Sequence, residues 1–221
     1  MTDSTSKLST ASIGATGGAA APASTTPAQG AIRRHPERAV PQEAAAILAA
    51  GKVAHVGFCE DGQPVVIPLG YAYDPRLPDR LYLHGAPASR AVRRLAAGAP
   101  VCVTVTLLDG LVYSRTALFH SMNYRSVVCF GRGRPVVDQE TQLAVFEQMV
   151  SRYFPGRAVE RDYSAPTPEH LHATTLVELR IETWSAKARR GGPKGPLDAD
   201  PDAPGTSGVL PLRPHSDLLE D

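Results

Sequence analysis

Two Asp-Gly pairs set between β-prone runs constrain this chain more than any other feature. Asp61-Gly62 separates Val53–Cys59 from Pro64–Tyr71, and Asp109-Gly110 separates Val101–Leu108 from Leu111–Phe119. Asp-Gly suits the tight turns whose twist matches paired strands, so each pair predicts an antiparallel hairpin. A short strand over Arg80–His84, a long one over Tyr124–Val137 and a last one over Thr174–Thr183 bring the expected total to about seven. Gly131 and Gly133 mark bulge or bend positions in the long strand. Helices are predicted over Pro41–Gly51, from about Ser89 and over Gln139–Tyr153, where Leu143, Phe146, Met149 and Val150 recur at helical spacing. Connections this short favour antiparallel pairing, and closing or partly closing a barrel hides the edges of so many strands. The expected class is α+β with an antiparallel β-barrel core and short flanking helices.

The remainder of the chain brackets this core. Residues 1–31 are almost all Ser, Thr, Ala, Gly and Pro, with Asp3 and Lys7 as the only charged residues. Such a segment buries too little apolar surface to offset chain entropy, so a disordered tail is expected there. It lacks the basic start and apolar run of a secretory signal. A flexible Pro/Gly/Asp-rich tail is expected over 188–221, with Val209–Leu212 as an apolar island able to dock on the body. The folded domain is thus expected over 32–187. The formal net charge of +1 gives no reason to expect nucleic acid or an anionic membrane as partner. No apolar run reaches the roughly 18–20 residues of a membrane-spanning helix. Cys59, Cys102 and Cys129 form neither a disulfide framework nor a metal-binding spacing, which suits a reduced, cytoplasmic protein.

Three segments are candidates for chemistry. Leu81–Leu95 reads as strand, Gly-Ala-Pro turn and amphipathic helix, with Ser89 and Arg90 at the helix start. Unpaired N–H groups there, a hydroxyl and a guanidinium would favour a phosphate, although an ordinary capped helix explains the same residues. Phe119–Val127 sets Asn123, Arg125 and Ser126 in apolar surroundings at a strand junction. Arg125 there needs either an acidic partner or an anionic ligand, unless it is a solvent-facing rim residue. Trp184, the one tryptophan, stands near Lys187, Arg189 and Arg190 and either stacks on a planar ligand or completes the core. His55, His84 and His120 lack carboxylates at ligand spacing, so no metal site is expected; His84, beside the Gly-Ala-Pro turn, is retained as a candidate. No GxSxG elbow and no dinucleotide fingerprint are present.

Taken together, His84-Gly-Ala-Pro-Ala-Ser-Arg90, His120-Ser-Met-Asn-Tyr-Arg-Ser-Val127 and Trp184-Ser-Ala-Lys187 resemble the pyridoxamine 5'-phosphate oxidase-related flavin-binding family, in its nitroimidazole-reductase-like branch. The resemblance spans about Ile32 to Arg190. It implies an FMN-binding split barrel, a homodimer with FMN at the subunit interface, and hydride transfer to or from a small planar substrate. By the same resemblance Ser89 and Arg90 hold the phosphate, although Ala91 stands where relatives carry a lysine. Pro68, Leu69, Gly70 and Tyr71 would give backbone contacts to the flavin ring edge. Tyr124, Arg125 and Ser126, with Asn123, would face the ribityl chain or phosphate, and Trp184 and Lys187 would reach over from the partner subunit. The Arg-x-His pattern of true pyridoxamine phosphate oxidases is not evident after Trp184, which argues against vitamin B6 oxidation. Deazaflavin F420 or haem on the same barrel, with His84 or His120 as an axial ligand, is an alternative. A flavin store or sensor without turnover is another. No catalytic residue stands out; His84 and Tyr71 are the candidates for an acid or base.

Overall fold

A computed structural model describes residues 28–212. The expected tail over 1–31 therefore lies outside the described residues up to residue 27. After three short 3-10 helices (Ala28–Gly30, Pro36–Arg38, Pro41–Glu43) comes helix α1 (Ala44–Ala50), followed by strands β1 (Ala54–Glu60), β2 (Gln63–Leu69), β3 (Tyr71–Ala72) and β4 (Arg80–Gly85). Helix α2 (Arg90–Ala96) leads to the two long strands β5 (Pro100–Tyr113) and β6 (Ser121–Pro135). Helices α3 (Gln139–Tyr153) and α4 (Pro168–Ala173), β7 (Thr175–Arg189) and β8 (Gly208–Pro211) complete the chain.

The strands form one curled antiparallel sheet in the order β2-β1-β5-β6-β7-β4-β3, with β8 added to the far end of β5. Alternation decides its two faces. Val101, Val103 and Val105 of β5 turn inward with Val56 of β1, Val127 and Cys129 of β6 and Leu179 of β7, and all are buried. Helices α1 and α2 close this half-barrel through Ile47, Leu48, Val92 and Leu95. A smaller apolar cluster holds α3 by Val145 and Met149 against Ala72, Tyr82 and Leu176. This is the split-barrel α+β fold expected from the sequence.

The first Asp-Gly pair turns the chain as expected, with Asp61 at φ 50° and Gly62 at φ 78°, the left-handed pair a two-residue hairpin needs. The second does not. Residues 100–113 are one continuous strand, with an irregularity in register between Leu108 and Gly110. Here β6 pairs on both sides of the break, Asp109 bonds to Arg125, and a side chain on Gly110 would meet the Leu210 carbonyl of β8 at 3.0 Å. Gly131 and Gly133 occupy the bend in β6. A Cβ there would lie 1.9 Å from the Arg180 carbonyl and 2.4 Å from the Leu95 carbonyl. At the two ends of this order, β3 is two residues long and β2 carries Pro64 and Pro68, and the four-residue β8 forms a third, short edge.

The expected domain end at residue 187 falls inside β7, which runs to Arg189. Beyond it, as far as residue 212, the chain forms a strap back across the sheet rather than a free tail, and residues 213–221 of the expected tail lie outside the described residues. Asp198 pins the strap, accepting from the Ser114 hydroxyl at 2.9 Å and the Arg115 N–H at 2.8 Å. The apolar island then enters β8 and pairs with Gly110–Tyr113. Helix α4 was not anticipated, although Thr167 followed by Pro168 is a normal helix start and Thr167 caps it.

Candidate functional site

The outward face of the sheet is unusual for a surface exposed to water. Read across β2, β1, β5, β6 and β7, one row is Pro68, His55, Thr104, Val128 and Ser185, and the next is Val66, Gly57, Cys102, Phe130 and Thr183. A third row sets Thr106 beside Ser126 and Lys187. Tyr124, opposite Leu108, stands one step further along. Rows are roughly 7 Å apart, two residues of strand. The strip is mostly small, uncharged and half-exposed, with Val66 63% exposed. Pro68, Tyr124, Ser126 and Lys187 are thus brought onto one face. The Lys187 ammonium donates to the Arg34 carbonyl at 2.9 Å, so the arm before α1 borders the strip.

Arg125 and Asn123 alternate with Ser126 and Tyr124 along β6, so they project from the opposite face of the sheet, into a cleft of about 410 Å³ shared with Glu43, Asp109 and Arg190. The Arg125 guanidinium grips Asp109 by two bonds of 2.7 and 3.0 Å, which raises its pKa, and Arg190 pairs with Glu43. Of the two needs inferred for Arg125, the acidic partner is therefore present within the chain. Asn123 donates to the Gly191 carbonyl and accepts from Arg189, whose own pKa is lowered by burial.

At another corner, Ser89 precedes α2 without a side-chain capping bond, and the helix itself has seven residues. Arg90 and Arg94 both approach Glu60 at the end of β1, each at 3.6 Å, leaving Arg90 largely exposed. His84, at the end of β4, packs edge-on against Phe146 of α3 with ring centres 5.4 Å apart. Partial burial lowers its pKa, which favours the neutral ring.

Other candidates face elsewhere. Tyr71 is fully buried; its hydroxyl donates to the Leu48 carbonyl at 2.6 Å and to the Gly51 carbonyl at 3.1 Å, and burial pushes its pKa up. Leu69 packs against the core, and Gly70 lies against the Tyr153 ring. Trp184 also packs on the core, lining a groove of about 200 Å³ beneath the arm with Ile32, Pro36 and Pro41. Sequence reasoning missed Glu60, Asp109 and Glu43, the acids that occupy the arginines. It also missed Thr104 and Thr106, whose outward position was readable from the alternation of valine with polar residues in β5. Among the described residues no three His, Cys, Asp or Glu side chains converge on a cation site, and no helix is long and apolar enough to cross a membrane.

The profile of the family described as pyridoxamine 5'-phosphate oxidase matches residues 41–188. Among solved structures, the flavocytochrome Anf3 from Azotobacter vinelandii is 32% identical, with a TM-score of 0.71, over 88% of this chain and 86% of its own. An FAD and haem binding protein from Mycobacterium smegmatis is 33% identical over 79% of this chain and 82% of its own, with a TM-score of 0.69. A putative 5-nitroimidazole antibiotic resistance protein from Bacteroides thetaiotaomicron shares the fold at 19% identity and a TM-score of 0.53, over 79% of this chain and 88% of its own. Nothing among curated proteins matches.

Proposed function

Because the chain belongs to the pyridoxamine 5'-phosphate oxidase family, we propose that it is a flavin-binding oxidoreductase, with FMN as cofactor, acting on a small planar substrate. The observation that carries this reading is the outward strip of the sheet. It is nearly uncharged and half-exposed, and it bears Pro68, Tyr124, Ser126 and Lys187 together. A tricyclic ring fits such a surface: Gly57 leaves room above the strand, and Thr104, Thr106 and Ser126 offer hydroxyls to polar ring edges. Arg90 and Arg94 supply cations for a phosphate at the β1 end, in place of the missing lysine, with Glu60 holding both until an anion arrives.

When bound, a flavin supplies the two-electron acceptor or donor, and the protein orients it and tunes it through hydrogen bonds. The side chains of this strip carry no strong acid or base, so their work is positioning and exclusion of water. A half-exposed apolar strip is only half a pocket. A second subunit covering it would complete the site, as the homodimer reading requires, and Lys187 stands on the strip where a partner would meet it. Three unpaired cysteines support a reducing, cytoplasmic setting.

A second reading, haem beside the flavin, is supported by two solved structures above 30% identity, a flavocytochrome and an FAD and haem binding protein, and by His84, whose imidazole is exposed at the end of β4. One experiment separates these readings: the absorption spectrum of the purified chain, with chromatography of whatever is released on denaturation. Flavin bands with FMN in the released fraction support the proposal. FAD, a deazaflavin or a Soret band would keep the barrel and change the cofactor. A colourless protein that takes up neither added flavin nor haem would overturn the reading.

A further inference from the structure

We infer that the C-terminal strand β8, which lies beyond the span matched by the family, extends the face through which two copies of this chain associate. The inference rests on the homodimer reading above. Across the wing formed by β8, β5 and β6, Leu210, Leu111 and Met122 stand opposite one another in register and therefore share a face. They are 54%, 42% and 48% exposed, so three large apolar side chains form a continuous row facing water. The irregularity after Leu108 keeps this row on the same side as Leu108 and Tyr124, so it continues the outward strip rather than starting a separate patch. Burial along β5 agrees: Leu108, Leu111 and Tyr113 are exposed, whereas Val105 and Val112 are buried.

The occupant follows from chemistry and size. From Thr104 to Tyr113, from Met122 to Val128 and at Leu210, the outward positions of β5, β6 and β8 carry no formal charge. Neither nucleic acid nor a charged peptide finds a complement there. A second copy does, because a two-fold axis sets an uncharged apolar face against its own equivalent. At about 3.3 Å per residue, the 14 residues of β5 span roughly 46 Å. A face three to four strands wide then offers roughly 700–900 Å², close to the ~800 Å² each partner contributes to a standard interface. The strap explains why β8 stays in place before any partner arrives. Asp198 fixes it to Ser114 and Arg115, and the Leu212 N–H donates to the Asp109 carbonyl at 3.0 Å.

Sedimentation velocity of the full chain over a concentration series tests this, comparing the parent with Leu210→Asp and Met122→Asp. Both residues are exposed in the single chain, so the far-ultraviolet circular dichroism should not change. The expected result is a dimer in the parent and a dimer dissociation constant at least tenfold higher in each variant. A parent dimer whose constant is unchanged in Leu210→Asp would overturn the role of β8, whatever Met122→Asp on β6 does, and leave the homodimer reading standing. A parent that is monomeric throughout would overturn both. Hydroxyl-radical footprinting of the unaltered chain gives a second measure without substitution. Met122 and Leu210 should become protected as concentration rises, and equal labelling of a dimeric and a diluted sample would refute the inference.

Discussion

Replacing Tyr71 by Phe tests whether this tyrosine serves the fold or the chemistry. Helix α1 is seven residues long and ends against β3, leaving carbonyls at its C-terminus without helical partners. Two side chains take them up. The Tyr71 hydroxyl donates to Leu48 and Gly51, while Arg152, reaching from α3, donates to Leu48 and Ala49 at 2.8 Å each and also to Gly51. The same guanidinium lies over the Tyr71 ring at 4.5 Å. Removing the hydroxyl alone leaves both of its acceptors bonded to Arg152, so the loss should stay near the net worth of one buried hydrogen bond, about 1 kcal/mol. For a domain of this size that lowers Tm by roughly 2–4 °C. Removing both donors strands the carbonyls, so Tyr71→Phe with Arg152→Met should cost more than the two single changes summed, by roughly 0.5–1 kcal/mol. Urea unfolding of the four proteins, with flavin affinity and reduction rate measured in parallel, reads these quantities. The expected outcome is lower stability with unchanged flavin behaviour. Native stability in Tyr71→Phe accompanied by slowed flavin reduction would refute the structural assignment and restore Tyr71 as a reacting group.

Arg90→Ala should weaken flavin binding by roughly 1.5–3 kcal/mol, the scale of a charged hydrogen bond; equal affinity by fluorescence titration would remove Arg90 from the site. Among the thiols, Cys59 is exposed, whereas burial pushes the Cys129 thiol up to about 12. A chromogenic disulfide reagent at pH 8 should therefore modify Cys59 in the folded chain and reach Cys129 only after unfolding; modification of Cys129 without unfolding would contradict its placement. Burial lowers the His84 pKa, so the unfolded chain binds its proton first. The contribution of His84 to stability is complete above the unfolded value of about 6.5 and declines as pH falls below it. His84→Gln should flatten the stability profile just below pH 6.5, and an unchanged slope in acid unfolding would show that the ring is not desolvated.

How much of this was legible in the sequence depended on whether the deciding interaction was local. Asp61-Gly62 turns the chain through its own backbone angles, whereas Gly131 and Gly133 were legible as glycines in a strand although the carbonyls that require them, of Arg180 and Leu95, come from elsewhere in the chain. Asp109-Gly110 is the same dipeptide, yet Gly110 does not adopt a positive φ. Whether the chain reverses there is decided by β6 and β8, which pair across it from a distance. The site divides in the same way. The positions of Thr104 and Ser126 follow from alternation along single strands. The acids that hold Arg125 and Arg90 lie 16 and 30 positions away in the chain, at Asp109 and Glu60, and become neighbours only once the sheet has formed. Helix α3 was legible to its ends because its pattern is long and Asp138 caps it.

The prolines of β2 have a consequence for how this protein behaves when crowded. An edge strand ordinarily presents a ladder of free donors that recruits foreign strands and seeds fibrils. Pro64 and Pro68 have no N–H to offer, and at alternate positions of the edge only Val66 remains between them. The opposite edge, β3, is two residues long and too short to template anything. At the β2 and β3 margins the sheet thus offers little to sideways growth, the four-residue β8 adds only a short third edge, and the broad face stays uncovered. Self-association through that face, as proposed above, would terminate with a pair instead of propagating into a polymer.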